Sequence, residues 1–360
     1  VARKIVMLLM MMAAVASCSF SPAEHMIEGQ PPHHTNLGFQ NIHIEDPNKS
    51  FFSFLWLRLF GDEVWADVEK TAADVPFQLL DINQIQNPAS GLQVSWLGHS
   101  TFLLQHNGIN ILTDPIFSNR ASPLSFTGPK RYVPHAMDYG VLPPIDFVVI
   151  SHNHYDHLDS KTIARLANTP TYMVPLGLKK WFVKQGINKD KVIEMDWWQR
   201  VAPNTGDTTL TITAQPSQHW SARGLGDRRK TLWASWRLDF SDVSVWFAGD
   251  TGYNPVTFKE IAETAGSVDL ALIPIGAYSP RSFMKPYHVN PDEAVMIHQD
   301  IKARRSIGMH WGTFALTAEA PMDPPHRLAG ARAREGLLLN EFSTLAIGET
   351  IVMTEQNKAE

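Results

Sequence analysis

His152, Asn153, His154, Tyr155, Asp156 and His157 spell His-x-His-x-Asp-His directly after the apolar run Ile145–Ile150. A buried strand ending in a tight turn lets closely spaced ligands converge on one point. Imidazole nitrogen suits zinc at about 2.0–2.1 Å, and a carboxylate adds a harder donor and negative charge. His152 and His154 can share one ion, while Asp156 and His157 reach a second. Three histidines in a polar surface loop would not need this spacing. Downstream, His219, Asp250 and His310 each lie just beyond a predicted strand, and Gly249 permits close backbone approach before Asp250. Each alone is an ordinary polar residue. Together with the first motif they complete two donor sets: His152, His154 and His219 on one ion, Asp156, His157 and His310 on the other, with Asp250 between them.

Strand ends must gather on one edge for this to work. The pattern predicts strands at Gln93–Leu97, Phe102–Gln105 and Ile109–Thr113, with a hairpin turn at Asn107-Gly108. Further strands are predicted at Ile145–Ile150, Tyr172–Val174, Leu210–Ala214, Leu232–Leu238, Val243–Phe247, Leu270–Ile273, Ser306–Met309 and Thr344–Ile347. Helices are predicted at Ser160–Ala167, Leu178–Gln185, Val256–Thr264, Pro291–Lys302 and Pro325–Arg334. Two strand-rich blocks flanked by helices indicate an α/β fold, an αββα sandwich of two face-to-face sheets. No Gly-x-Gly-x-x-Gly follows the first strand, which argues against a dinucleotide-binding fold.

At 360 residues with 44% hydrophobic and 19% charged residues, the chain can close a sizeable core. A net charge of -5 with no long basic run excludes a general nucleic-acid binder, leaving only the local patch Arg228, Arg229, Lys230. The lone cysteine, Cys18, excludes an internal disulfide. Arg3 and Lys4 precede the apolar run Ile5–Ala16, too short to span a bilayer, so residues 1–17 read as a signal peptide. Val15-Ala16-Ser17-Cys18 resembles a bacterial lipobox, implying lipidation of Cys18 and, with Ser19 next, the outer membrane. Residues 18–50 read as a tether without chemistry. Residues 51–90 form an N-terminal extension whose aromatic stretch Phe51–Phe60 packs on the core or, alternatively, lies on lipid. The catalytic domain spans 91–352 and a tail 353–360.

The metal loop resembles the metallo-β-lactamase superfamily. The segments around it resemble the N-acyl-phosphatidylethanolamine-hydrolysing phospholipase D branch and its bacterial relatives. They are Trp96-Leu97-Gly98-His99-Ser100-Thr101, residues 112–117 (LTDPIF), Gly128-Pro129-Lys130-Arg131, residues 151–159 (SHNHYDHLD) and Pro216-Ser217-Gln218-His219-Trp220, followed by residues 247–253 (FAGDTGY), residues 273–278 (IPIGAY), His288-Val289 and residues 310–315 (HWGTFA). They keep the family's order over roughly residues 90–320.

The resemblance implies a metallo-β-lactamase-type fold and a hydrolase holding two zinc ions, with iron or manganese as alternatives. A water shared by the ions would be the nucleophile, with no protein nucleophile. Asp156 is a ligand that also orients the hydroxide, and Asp114 fixes a ligand imidazole. His288 resembles a family active-site histidine, as general acid or phosphate-orienting group. Tyr155 and Trp220 are candidate substrate contacts, and Trp197, Trp198 and Trp311 flank the motifs. The implied reaction releases phosphatidic acid and an N-acylethanolamine from an N-acylated phospholipid, at a membrane surface reached through the lipid anchor. A lactonase or other ester hydrolase is the alternative, and an envelope lipoprotein with a structural metal site is the reading from another class. No nucleic-acid partner is expected, and a homodimer is left open.

Overall fold

The computed structural model describes residues 25–47, 51–67 and 71–354. The expected signal peptide and Cys18 lie outside the described residues. A short hairpin, β1 (His34–Thr35) and β2 (Gly38–Phe39), precedes the sandwich. The first sheet holds β3 (Leu92–Gly98), β4 (Thr101–His106), β5 (Ile109–Thr113), β6 (Phe147–Val149), β7 (Thr171–Pro175) and β8 (Val192–Met195). The second holds β9 (Arg200–Val201), β10 (Leu210–Gln215), β11 (Ser235–Phe240), β12 (Ser244–Phe247), β13 (Val268–Pro274), β14 (Ala303–Met309) and β15 (Phe342–Thr344). The last strand, β16 (Thr350–Met353), returns to the first sheet beside β3, so each sheet has seven strands, in the orders β16-β3-β4-β5-β6-β7-β8 and β15-β14-β13-β12-β11-β10-β9.

β4 and β5 form an antiparallel hairpin, closed by Asn107 and Gly108 at φ 46° and 81°. Positive φ at both turn positions is what the Asn-Gly pair supplies. β5 to β8 and β12 to β15 run parallel, and their buried apolar runs fit strands covered on both faces. Trp96, Phe102, Trp236, Trp246 and Phe247 are fully buried in the core, and each such side chain contributes about 2–3 kcal/mol of transfer free energy.

Three expectations change. The strand expected from Leu232 starts at Ser235, because the preceding residues tie the two sheets together. The Leu232 amide donates to the Leu176 carbonyl and the Ala234 amide to that of Ser151, each at 2.9 Å, and Trp236 Nε1 donates to the Ile150 carbonyl at 2.9 Å. The closing strand expected at Thr344–Ile347 is two strands: β15 ends at Thr344, and the chain turns through Gly348 into β16. β8, β9 and β16 were not expected, since short strands carry little periodic signal.

The N-terminal extension also differs. Residues 33–41 are not a free tether: His33, Thr35 and Asn41 are buried against the domain. Phe51–Phe60 is a helix, yet Trp56, Leu59 and Phe60 are exposed at 48%, 49% and 39%. These side chains do not pack into the core. Among the described residues no helix is long and apolar enough to cross a membrane.

Candidate metal centre

The chemistry-bearing residues gather at one edge of the sandwich. Asp114 follows β5, residues 152–157 follow β6, His219 lies in the loop after β10, Asp250 closes the turn after β12, and His310 follows β14. His288 lies between the short helix Arg281–Met284 and the capped helix Pro291–Asp300. Asp114 and His310 hold positive φ, 33° and 64°, rare for such residues and frequent at functional sites. Gly249 (φ 60°) passes so close to the first sheet that a Cβ would sit 2.4 Å from that of Ser151, which is why glycine precedes Asp250.

Two adjoining donor clusters contain the expected residues: His152, His154 and His219 in one, and Asp156, His157 and His310, joined by His99, in the other. In the first, Nδ1 of His154 lies 2.8 Å from Nε2 of His152 and 3.3 Å from Nε2 of His219. In the second, Nε2 of His157 and of His310 are 3.2 Å apart, and each lies within 3.4 Å of an Asp156 oxygen. Asp250 touches both: its Oδ2 is 3.1 Å from His157 Nε2 and 3.9 Å from both His152 Nε2 and His219 Nε2, and its Oδ1 is 3.1 Å from His310 Nε2.

The ring protons explain why this set fits cations. His219 Nδ1 donates to the Tyr287 carbonyl at 2.9 Å, and His157 Nδ1 donates to Asp114 Oδ2 at 2.7 Å. A neutral imidazole with its proton there presents a bare lone pair at Nε2. Both Nε2 atoms face other ring nitrogens or carboxylate oxygens, an array that needs positive charge at its centre, whether carried by protons or by cations. His154 Nε2 and His288 Nδ1 are buried and hydrogen-bond nothing among the described residues.

Electrostatics follow the same pattern. Burial pushes the His152 imidazole well below its ordinary range and those of His154 and His219 down to about 3, which keeps them neutral and able to ligate. Burial alone would raise the Asp250 carboxyl, but His157 and His310 outweigh it and hold it well below the usual carboxylate range. Reciprocally, burial lowers His157 and His310, while Asp250 and Asp156 prevail and raise both, His310 to about 9. These protons supply the charge that divalent ions would supply instead.

Asp114 accepts from the Ser151 amide at 2.7 Å, from the Ser151 hydroxyl and from His157 Nδ1. Ser151 Oγ in turn meets His152 Nδ1 at 2.9 Å. One buried carboxylate thereby orients rings in both clusters. Asp114→Asn leaves a single acceptor oxygen for three donors, so zinc affinity should fall about 10–100-fold; competition with a chromophoric chelator measures it, and unchanged affinity would remove Asp114 from this role.

His99 was not among the expected site residues. Its Nε2 lies 3.0 Å from Asp156 Oδ2, its amide donates to Thr313 Oγ1 at 2.8 Å, and its carbonyl accepts from the His310 amide at 3.0 Å. The signal was Gly98-His99 at a strand end, parallel to Gly249-Asp250.

A largely apolar pocket of about 300 Å³ opens on the clusters, lined among others by Tyr155, Trp220, Phe283, Met284, His288 and Leu316. Tyr155 and Trp220, the candidate substrate contacts, both line this pocket. Trp197 and Trp311 are instead buried, their indole nitrogens donating to the carbonyls of Trp233 and Gly308 at 2.6 and 3.1 Å. The basic patch is spent internally: Arg228 donates to the Tyr287 hydroxyl, Arg229 pairs with Asp46, and Lys230 caps the Leu37 carbonyl.

Residues 109–311 match the β-lactamase superfamily domain. The chain is 46% identical over 268 residues to the N-acyl-phosphatidylethanolamine-hydrolyzing phospholipase D 1 of Caenorhabditis elegans, covering 72% of this chain and 75% of that one. The chain belongs to the metallo-β-lactamase superfamily, in the family of the N-acyl-phosphatidylethanolamine-hydrolysing phospholipases D. Its members are metal-dependent hydrolases, and this chain is one. An uncharacterized protein of Mycobacterium tuberculosis is 37% identical, covering 86% of this chain and 82% of that one. Among solved structures, a metallo hydrolase from Ignicoccus hospitalis shares the fold at TM-score 0.54 and 22% identity, covering 74% of this chain and 99% of that one. An isothiocyanate hydrolase from Delia radicum gut bacteria shares it at TM-score 0.57 and 16% identity, covering 72% and 99%.

Proposed function

We propose that this family member is a zinc phosphodiesterase cleaving N-acyl-phosphatidylethanolamine or a related phospholipid to phosphatidic acid and an N-acylethanolamine. The observation that carries this reading is the apolar pocket opening directly onto two adjoining donor clusters; the activity named for the nematode relative supports it. His152, His154 and His219 would hold one ion, Asp156, His157 and His310 the other, with Asp250 shared. Bound there, the ions would supply Lewis acidity toward a phosphoryl oxygen and a water activated for attack. The protein's own part is orientation and exclusion. Asp114 and the Tyr287 carbonyl keep the ring protons of His157 and His219 away from the centre. Trp220, Phe283, Met284 and Leu316 accept apolar chains and keep bulk water from the reacting phosphate.

His288 lines the pocket, with Nδ1 3.8 Å from Asp250 Oδ2. Burial pushes its imidazole down to about 3, so the neutral ring donates one N–H to a phosphoryl oxygen instead of acting as a cationic acid. His288→Ala should lower kcat about 10²-fold with zinc content unchanged, as for other lost transition-state donors. His288→Gln, which keeps a donor, should lose less, and an Ala variant at wild-type kcat would sink the role.

A lipid anchor at Cys18 facing the periplasm from the outer membrane would keep the enzyme beside this substrate. The deciding assay offers the zinc-loaded chain, lacking residues 1–18, four substrates: N-acyl-phosphatidylethanolamine, bis(p-nitrophenyl) phosphate, an acyl lactone and a cephalosporin. Turnover of the lactone alone would end the phospholipase reading. Silence on all four with metal bound would favour a structural metal site.

A further inference from the structure

The segment before the sandwich reaches the back of the metal centre. The Asn41 amide grips the backbone of His219: Nδ2 donates to the His219 carbonyl at 2.9 Å, and Oδ1 accepts from the His219 amide at 3.1 Å. Asn41 is buried, and 178 residues of chain separate the two. Such a two-point clamp fixes both the position and the tilt of the peptide that carries the ring. Five residues on, Asp46 accepts from Asn41 Nδ2 at 2.6 Å and from the Tyr287 hydroxyl at 3.2 Å. Tyr287 supplies the carbonyl that holds the Nδ1 proton of His219. The same arm therefore fastens the backbone of His219 and the residue that orients its ring.

The arm is itself latched away from the centre. His33 Nε2 and His34 Nε2 each meet a different oxygen of Asp196, at 2.6 and 2.8 Å, and His33 stacks on Trp197. The Phe39 amide donates to the Arg229 carbonyl at 2.8 Å. Gly38 crosses that carbonyl where a Cβ would lie 2.0 Å from its oxygen, so the hairpin seats only with glycine there.

We infer that residues 33–46 are a positioning arm for the metal centre, with Asn41 as the positioning residue for His219. The inference rests on the reading of His219 as a zinc ligand. Other protein groups that hold ligands in place change metal affinity about 10–100-fold when removed, and a clamp on the ligand's own peptide belongs to that class.

The test uses the full chain, stripped of metal and titrated with zinc, and separately loaded with cobalt(II), whose visible bands report ligand geometry. If the wild type takes up no zinc, the metal reading itself fails. If it does, folded Asn41→Ala should bind one zinc equivalent at least about 10-fold more weakly with the other unchanged, and its cobalt bands should shift. A folded Asn41→Ala with wild-type affinity and bands overturns the inference. Should that variant not fold, Asp196→Asn decides, since it loosens the latch without touching the centre: weaker uptake at one equivalent supports the arm, and unchanged uptake overturns it.

Discussion

Asp250→Asn should cost on the order of 10³-fold in kcat/KM, because this carboxylate lies between the two donor clusters, with oxygens facing the Nε2 atoms of both. Its Oδ2 lies 3.1 Å from His157 Nε2 and 3.9 Å from His152 and His219 Nε2, and its Oδ1 lies 3.1 Å from His310 Nε2. Asparagine keeps the shape but loses the charge and turns one oxygen into a donor facing imidazoles. Neither cluster then keeps its shared anion, so the variant should bind fewer than two zinc equivalents under saturating supply. Elemental analysis together with steady-state kinetics checks both statements. Two tightly held equivalents and activity within 10-fold of the wild type would show that Asp250 does not bridge.

Removal of metal should be felt by the whole domain. Asp114, Asp250, His152, His157, His219 and His310 are all buried, and the donors follow strands of both sheets. A cation bound at 1,000 times its dissociation constant adds about 4 kcal/mol to the folded state. Stripping two ions should therefore lower Tm by many degrees, abolish turnover, and be reversed by zinc. Because protons compete for the same imidazole nitrogens, the stabilisation by zinc should shrink as the pH falls. Thermal melts with and without chelator measure this. Equal Tm for the stripped and loaded forms would place the ions outside the folded framework.

How much of this was legible beforehand differs by residue. Five proposed ligand positions, those other than Asp250 and His310, could be assigned from local context, because a rigid strand end fixes where the next few side chains point. Residues 152–157 are the clearest case: four donors sit on one short loop whatever the rest of the chain does. Asp250 and His310 needed the fold class as well. His99 escaped because its partner, Asp156, lies 57 residues away, and a glycine-histidine pair at a strand end does not say which distant carboxylate the ring will meet. The aromatic run Phe51–Phe60 was legible as an apolar stretch but not in its setting: exposed Trp56, Leu59 and Phe60 share their composition with a core helix.

Residue types and their local patterns are enough for the donor inventory, for its placement at strand ends and for the two layers of sheet that hold it. The closure of the centre comes from long-range packing. β16 crosses back beside β3, Trp236 and Ala234 lock the second sheet to Ile150 and Ser151, and Asn41 arrives from a stretch with no periodicity. Periodic patterns record which face of an element is buried. They do not record which distant backbone carbonyl or carboxylate a buried polar group will find, because that partner is chosen only when the layers pack and every buried donor must be satisfied.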